Sequence, residues 1–159
     1  MATLAVIFAI RHARHLGGGS EAGAKVWFYD QAAQRLYPAP RDLIPPDGKD
    51  DNRVRAMVVG FQGLGNDPSQ LKIAYLEKFS PGFKALLERA AAAHAAQRLF
   101  TEKIPSQNSA YYQENTFIKR PGETWLSSGA PEARQIRDEW HGWHGPSGET
   151  PIISVPSSE

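Results

Sequence analysis

Residues 53–62 read Arg-Val-Arg-Ala-Met-Val-Val-Gly-Phe-Gln, and this run is the clearest strand signal after the first ten residues of the chain. Apolar and β-branched residues dominate it, which favours an extended conformation in a sheet. Side chains alternate between the two faces of a strand, so Arg53 and Arg55 are expected on the same face at its beginning.

Other runs of the same kind predict further strands. Residues 4–10 are continuously apolar, which predicts a strand buried on both faces. Residues 25–29 and a short partner at 35–37 predict a hairpin, and 116–119 and 152–155 predict two short strands. Four prolines fall within residues 38–51. Because proline removes ladder donors, that segment is expected to be a loop.

Two proline-containing signals predict the starts of helices. Asp67-Pro68 combines a capping carboxylate with proline at the first helical position, and it predicts a helix of about ten residues that ends near Phe79. Ser80-Pro81 repeats this arrangement and predicts the longest element, an alanine-rich helix over residues 81–103. A short charged helix is expected over residues 131–140.

These elements predict an α+β fold, with a small, mostly antiparallel sheet and one long Ala-rich helix packed on it. Length favours a single domain over residues 1–159. The Gly-, Pro- and Ser-rich residues from about 145 to 159 predict an edge strand or an extended tail. The apolar faces of the strands and the long helix predict one shared core, made of Val6, Phe8, Trp27, Val58, Phe83, Leu87 and Ala90.

Composition excludes several classes of function. The formal net charge is +1, so there is no overall basic field that would hold a polyanion. The absence of cysteine excludes disulfides, thiolate metal sites and thiol nucleophiles. No segment approaches the roughly 18 apolar residues of a membrane span, so no membrane partner is expected. The apolar run at 4–10 has no preceding positive charge, which favours a strand over a signal peptide and a cytoplasmic location.

Four of the five histidines form two His-x-x-His pairs, and each pair follows a predicted element. Imidazole titrates near neutral pH, so these pairs are the best candidates for proton transfer, metal binding or phosphate contact. One interpretation is a histidine-dependent phosphodiesterase or nuclease that acts on RNA or nucleotides without a cofactor. Its proton carriers would be His12, His141 and His144, and its phosphate-binding cations would be Arg11, Arg14, Arg53 and Arg55, with Lys119 and Arg120 as further candidates.

A metal site is the alternative use of the same histidines. Zinc accepts three or four nitrogen or oxygen ligands in tetrahedral geometry, so zinc or another divalent metal could be held by both pairs together, or by either pair with a carboxylate of Glu21, Asp138 or Glu139. With both pairs, its ligands would be His12, His15, His141 and His144.

A second class of function also stays open, and the sequence does not decide whether the protein is an enzyme. The chain would then be a non-catalytic bacterial or phage interaction protein (an inhibitor, an accessory or an assembly component) that binds a protein partner. Its aromatic and proline-rich loops would form the contact surface, because tryptophan, tyrosine and arginine dominate binding hot spots.

Overall fold

The computed structural model describes residues 23–157, which form an α+β fold around a mostly antiparallel sheet. This confirms the predicted fold class, while the predicted strand at 4–10 lies outside the described residues. The sheet has seven strands within that range. They are β1 (Lys25–Asp30), β2 (Arg35–Pro40), β3 (Arg53–Phe61), β4 (Lys72–Phe79), β5 (Thr116–Lys119), β6 (Leu126–Ser127) and β7 (Pro151–Ile153).

The quoted run 53–62 forms the central strand, β3. The sheet order is β2-β1-β3-β4-β5-β6, and β7 also pairs with β3. Arg55 pairs with both Phe28 of β1 and Glu77 of β4, and Val59 pairs with both Lys72 of β4 and Ile153 of β7. Strands β1 and β7 therefore share the edge of β3 that β4 leaves open, one at each end of it.

Three α-helices occur within the described residues, and they do not include one long Ala-rich helix that covers the sheet alone. They are α1 (Pro81–Ala95), α2 (Ala110–Asn115) and α3 (Pro131–Asp138), and two 3₁₀ helices cover Pro68–Gln70 and Glu139–Gly142. Helix α1 begins as predicted, because the Ser80 hydroxyl accepts a hydrogen bond from the Phe83 amide at 3.3 Å. Helix α3 also falls in its predicted range.

The helix predicted from Asp67 to Phe79 is wrong. Asp67 does cap a helical turn, accepting from the Ser69 amide at 2.9 Å, but that turn is the 3₁₀ helix Pro68–Gln70. Strand β4 follows it and pairs with β3 on one side and β5 on the other. Partners distant in sequence therefore override a local helix-start signal.

The alanine-rich helix is shorter than predicted and docks at a different place. It ends at Ala95, because Gln97 adopts a positive φ of 53° and the Arg98 amide bonds back to the Ala93 carbonyl at 2.8 Å. This is a Schellman-type end, and it stops the helix eight residues before position 103. Its buried residues Phe83 and Leu87 pack on Phe79, at the end of β4.

The α-helices cover one face of the sheet, which we call the helix face. Ala133 and Ile136 of α3 pack on Ile118. Trp140 and Trp143, which follow α3, pack against Met57, Val59 and Ala74. Cross-strand pairing places these sheet residues, with Phe79, on the same face.

The opposite face, which we call the open face, has its own apolar cluster. Its buried members are Val54, Ala56, Val58 and Leu76. The side chains packed around them are Trp27, Tyr29, Leu36, Leu71, Ile73 and Trp125, and none of the cluster within residues 23–157 comes from an α-helix.

The predicted single core is therefore wrong. Trp27 and Val58 lie in the open-face cluster, whereas Phe83 and Leu87 lie in a separate cluster beside Phe79. The physical reason is that β3 is apolar on both faces, and within residues 23–157 only one of them meets helices. Val6 and Phe8, the other strand members of the predicted core, lie outside the described residues.

Tyr75 on the helix face gives the protein a dependence on alkaline pH. Burial, with the Glu77 carboxylate as a second cause, raises the pKa of the Tyr75 phenol above its ordinary value. The unfolded chain therefore loses this proton first. Above pH ~10 we expect Tyr75 to lower the free energy of unfolding by up to about 1.4 kcal/mol per pH unit, because the folded protein holds one proton more than the unfolded chain. Denaturant titrations below and above that pH measure how steeply the free energy of unfolding falls with pH. The fall should be less steep in Tyr75→Phe. An equally steep fall in this variant contradicts the expectation.

Candidate binding surface

The open face presents a row of aromatic side chains that are only partly covered. Trp27 and Tyr29 lie two residues apart on β1 and therefore share a face, and Trp125 lies in the hairpin between β5 and β6. All three are half-buried. Ile152 of β7, opposite Gly60, is 46% exposed at the same face. Half-buried aromatic groups beside exposed aliphatic ones form a surface that can bury more apolar area against another molecule.

The Trp27 ring is held in place by hydrogen bonds to the C-terminal segment. Its indole N–H donates to Ser154 Oγ at 3.2 Å, and the Ser154 hydroxyl lies 3.1 Å from Asn66 Oδ1. The Asn66 amide in turn donates to the Val155 carbonyl at 3.1 Å. An aromatic group that is fixed in this way loses little side-chain entropy when it binds a partner.

Two lysines on the open face meet over one indole ring. Lys78 Nζ lies 4.8 Å from the centre of the Trp125 ring, and Lys119 Nζ lies 4.9 Å from it. Asp51 forms an ion pair with Lys78. Burial lowers the pKa of Lys119, and the charge of Lys78 lowers it further. This corner of the face therefore holds more positive than negative charge.

A narrow cleft crosses the sheet where β1 and β7 leave a gap beside β3. Trp27 and Val155 line it together with Arg55, Tyr75 and Glu77. The free volume of the cleft is about 40 Å³, which holds a few water molecules. It is far too small for a drug-sized ligand.

Arg55, in this cleft, is bound to the protein itself. Its Nη2 donates to the carbonyl of Leu43 at 2.8 Å and reaches that of Arg41 at 3.4 Å. The Glu77 carboxylate is its cross-strand neighbour. Burial lowers the pKa of the Arg55 guanidinium, which nevertheless stays charged because its ordinary value is so high. This predicted phosphate-binding residue therefore faces the interior.

The second predicted histidine pair lies on the surface after α3. His141 is exposed, stacks on Trp140 with ring centres 3.9 Å apart, and has Nδ1 2.9 Å from the Asp138 carbonyl. His144 is exposed as well. Arg120 binds Glu139, two residues before His141, through two hydrogen bonds of 2.6 and 2.7 Å.

Arg53, at the beginning of β3, lies far from this pair. Trp140 and Trp143 pack near Ile153 of β7, which pairs with Val59. Arg53 is six residues away along β3, about 20 Å at the rise of an extended strand. Its guanidinium lies 3.4 Å from Asp47. The described residues do not bring Arg53 and the histidines together.

The remaining predicted site residues lie outside the described residues. They are Arg11, His12, Arg14 and His15. Within residues 23–157, no group of three histidine, aspartate or glutamate side chains could hold a metal ion. The His141/His144 pair therefore has no third ligand in that range.

The open face was not predicted, although the sequence contains a signal for it. Val54, Ala56 and Val58 make the even-numbered side of β3 apolar, and Met57 and Val59 do the same for the odd-numbered side. A strand that is apolar on both sides needs two covers. The single predicted long helix could supply only one.

Comparison of the chain with protein-family models, with curated proteins and with solved structures gives no match. Within the described part of the chain, no helix has the length and apolar character that crossing a membrane requires.

Proposed function

We propose that this protein is a non-catalytic binding module, and that its open face contacts a protein partner. The observation that carries the proposal is that the α-helices within residues 23–157 cover only one face of the sheet. Every α-helix of the described residues that joins a core cluster does so away from the open face. That leaves Trp27, Tyr29 and Trp125 half-buried.

The type of side chain at this face favours a protein partner. Tryptophan and tyrosine are the residues that contribute most to binding at protein interfaces, especially next to apolar surface that becomes buried. The aromatic groups lie on strands, and Trp27 is further fixed by Ser154. A rigid anchor of this kind lowers the entropic cost of association.

Charge argues against two other possible occupants of the open face, a second copy of this chain and nucleic acid. Two copies that met through it would bring Lys78 and Lys119 towards the same lysines of the other copy, which costs affinity. Nucleic acid needs several phosphate contacts, whereas the chain has a net charge of only +1. Both lysines also lie over the Trp125 ring on which a base would have to stack.

Ile152→Glu tests the proposal, with Leu99→Glu as its matched control. Both side chains are exposed aliphatic groups, at 46% and 79%, but only Ile152 lies at the open face. The probes are blocked hexapeptides that alternate leucine with glutamate, glutamine or lysine. We expect Ile152→Glu to weaken binding of the glutamate or glutamine peptide by about tenfold or more, because burial of an isoleucine is lost. Leu99→Glu should leave the affinity unchanged.

Titration calorimetry or fluorescence of the four tryptophans gives the affinities, and circular dichroism shows that both variants fold. The proposal fails if no peptide binds at millimolar concentration. It also fails if the two variants weaken binding equally.

The phosphodiesterase interpretation is tested with the same protein. Wild type is incubated with single-stranded RNA, with and without chelator. Cleavage that His141→Ala and His144→Ala abolish would overturn the binding-module proposal, because loss of one proton carrier costs about 10²–10⁴ in rate. Loss of cleavage with chelator would add a metal requirement. We expect no cleavage.

A further inference from the structure

We infer that Lys78, Lys119 and Trp125 form a binding site for a carboxylate, so that the partner of the open face presents an acidic side chain there. This rests on the proposed function, because it places the carboxylate on the partner protein. The histidine-based prediction named Lys119 among its phosphate-binding candidates, but it did not anticipate a carboxylate site formed with Lys78 and Trp125.

Burial and the lack of an ion pair single out Lys119, on which the Asp51 carboxylate acts from beyond ion-pair distance. The residue is nine-tenths buried, at 9% exposure. None of the ion pairs within residues 23–157 includes it, although Lys78 is paired with Asp51. Its Nζ lies over the face of the Trp125 ring, 4.9 Å from the ring centre. An aromatic face stabilises an ammonium group but does not neutralise its charge, so a buried lysine in this position attracts an anion.

The count of charges favours a carboxylate over a phosphate. Lys78 and Lys119 contribute two positive charges, and Asp51 contributes one negative charge, which leaves one positive charge for a ligand. A carboxylate carries a single negative charge, whereas phosphate near neutral pH carries between one and two. Asp51 already binds Lys78 through a carboxylate oxygen, which is the chemistry proposed for the ligand.

The position of this site suits a partner that also covers the aromatic row. Lys78 and Lys119 are diagonal neighbours on β4 and β5, because Lys78 pairs with Phe117 and Lys119 pairs with Leu76. Leu76 belongs to the same cluster as Trp27 and Tyr29. One partner segment lying along the open face would therefore reach both the apolar cluster and the lysines.

The experiment uses the full chain and a small probe, N-acetylglutamate amide, which carries one carboxylate. The Trp125 indole N–H signal reports binding in a titration followed by NMR. We expect Lys119→Met to weaken binding by about tenfold or more, because a charge-assisted contact is lost. Asp51→Asn should strengthen it several-fold, because it removes the competing carboxylate. Lys103→Met, at an exposed lysine of the loop after α1, is the control and should change nothing.

Methionine has an unbranched side chain one atom shorter than that of lysine, and Lys119→Met removes a buried charge, so the variant is expected to fold. Lys119→Arg should retain binding. The inference is overturned if N-acetylglutamine amide binds as well as the glutamate probe, if inorganic phosphate binds more tightly than either, or if Asp51→Asn and Lys119→Met act in the same direction. If the leucine–glutamine hexapeptide still binds in an Ile152-dependent way, the proposed function survives without the carboxylate site.

Discussion

Replacing Arg55 with methionine is expected to lower the free energy of unfolding by about 1.5–3 kcal/mol, the value of a hydrogen bond from a charged donor. The guanidinium supplies the donor for the Leu43 carbonyl at 2.8 Å, and so ties the loop between β2 and β3 to the sheet. Methionine fills much of the same space but donates no hydrogen bond. It also leaves the Glu77 carboxylate beside an apolar side chain.

A double-mutant cycle separates these causes. Glu77→Gln alone should cost less, because Arg55 keeps its bonds to backbone carbonyls. In the Arg55→Met/Glu77→Gln variant the losses should be less than additive, by about 0.5–3 kcal/mol, since a neutral glutamine needs no counter-charge. Chemical denaturation of the four proteins measures the cycle. Arg55→Met within about 1 kcal/mol of wild type would show that this network does not support the fold.

Phe83→Ala is expected to have the larger effect, about 3–5 kcal/mol. Phe83 has no exposed surface. Its ring contacts Phe79 and Tyr112 edge-to-face, with centres 5.2 and 5.3 Å apart. These contacts join α1 and α2 to the end of β4, so a cavity here weakens the attachment of both helices.

Tyr111→Ala is the matched control for Phe83→Ala. Tyr111 also meets the Phe83 ring edge-on, at 5.7 Å, but 45% of it is exposed. Its removal should cost no more than about 1.5 kcal/mol, the value of an aromatic pair. Chemical denaturation of the two variants compares their losses in the free energy of unfolding. Equal losses would mean that α1 docks through surface contacts and not through Phe83.

Features set by neighbours in sequence could be predicted well. The strand at β3, the Ser80 cap of α1 and the position of α3 all follow from side chains within a few residues of each other. The β1–β2 hairpin is of the same kind, because its two strands are joined by residues 31–34.

Features set by distant neighbours could not be predicted. Asp67 caps a single 3₁₀ turn, and β4 is extended because β3 and β5 flank it. Arg53 and Arg55 share a face of β3 as expected. Yet the Arg53 side chain is 47% exposed while Arg55 is only partly exposed and its Nε is buried, because only Arg55 reaches the carbonyls of a loop. The separation of the core into two faces has the same origin.

The four tryptophans of the chain offer the most direct test of the open face as the binding surface. Trp27 and Trp125 belong to the open-face cluster, whereas Trp140 and Trp143 pack on the helix face. In a titration of ¹⁵N-labelled protein with the leucine–glutamate hexapeptide, the indole N–H signals report on both faces at once. Movement of the Trp27 and Trp125 signals, with those of Trp140 and Trp143 unchanged, is the predicted result. Movement of Trp140 and Trp143 alone, or of none of the four, would contradict the account.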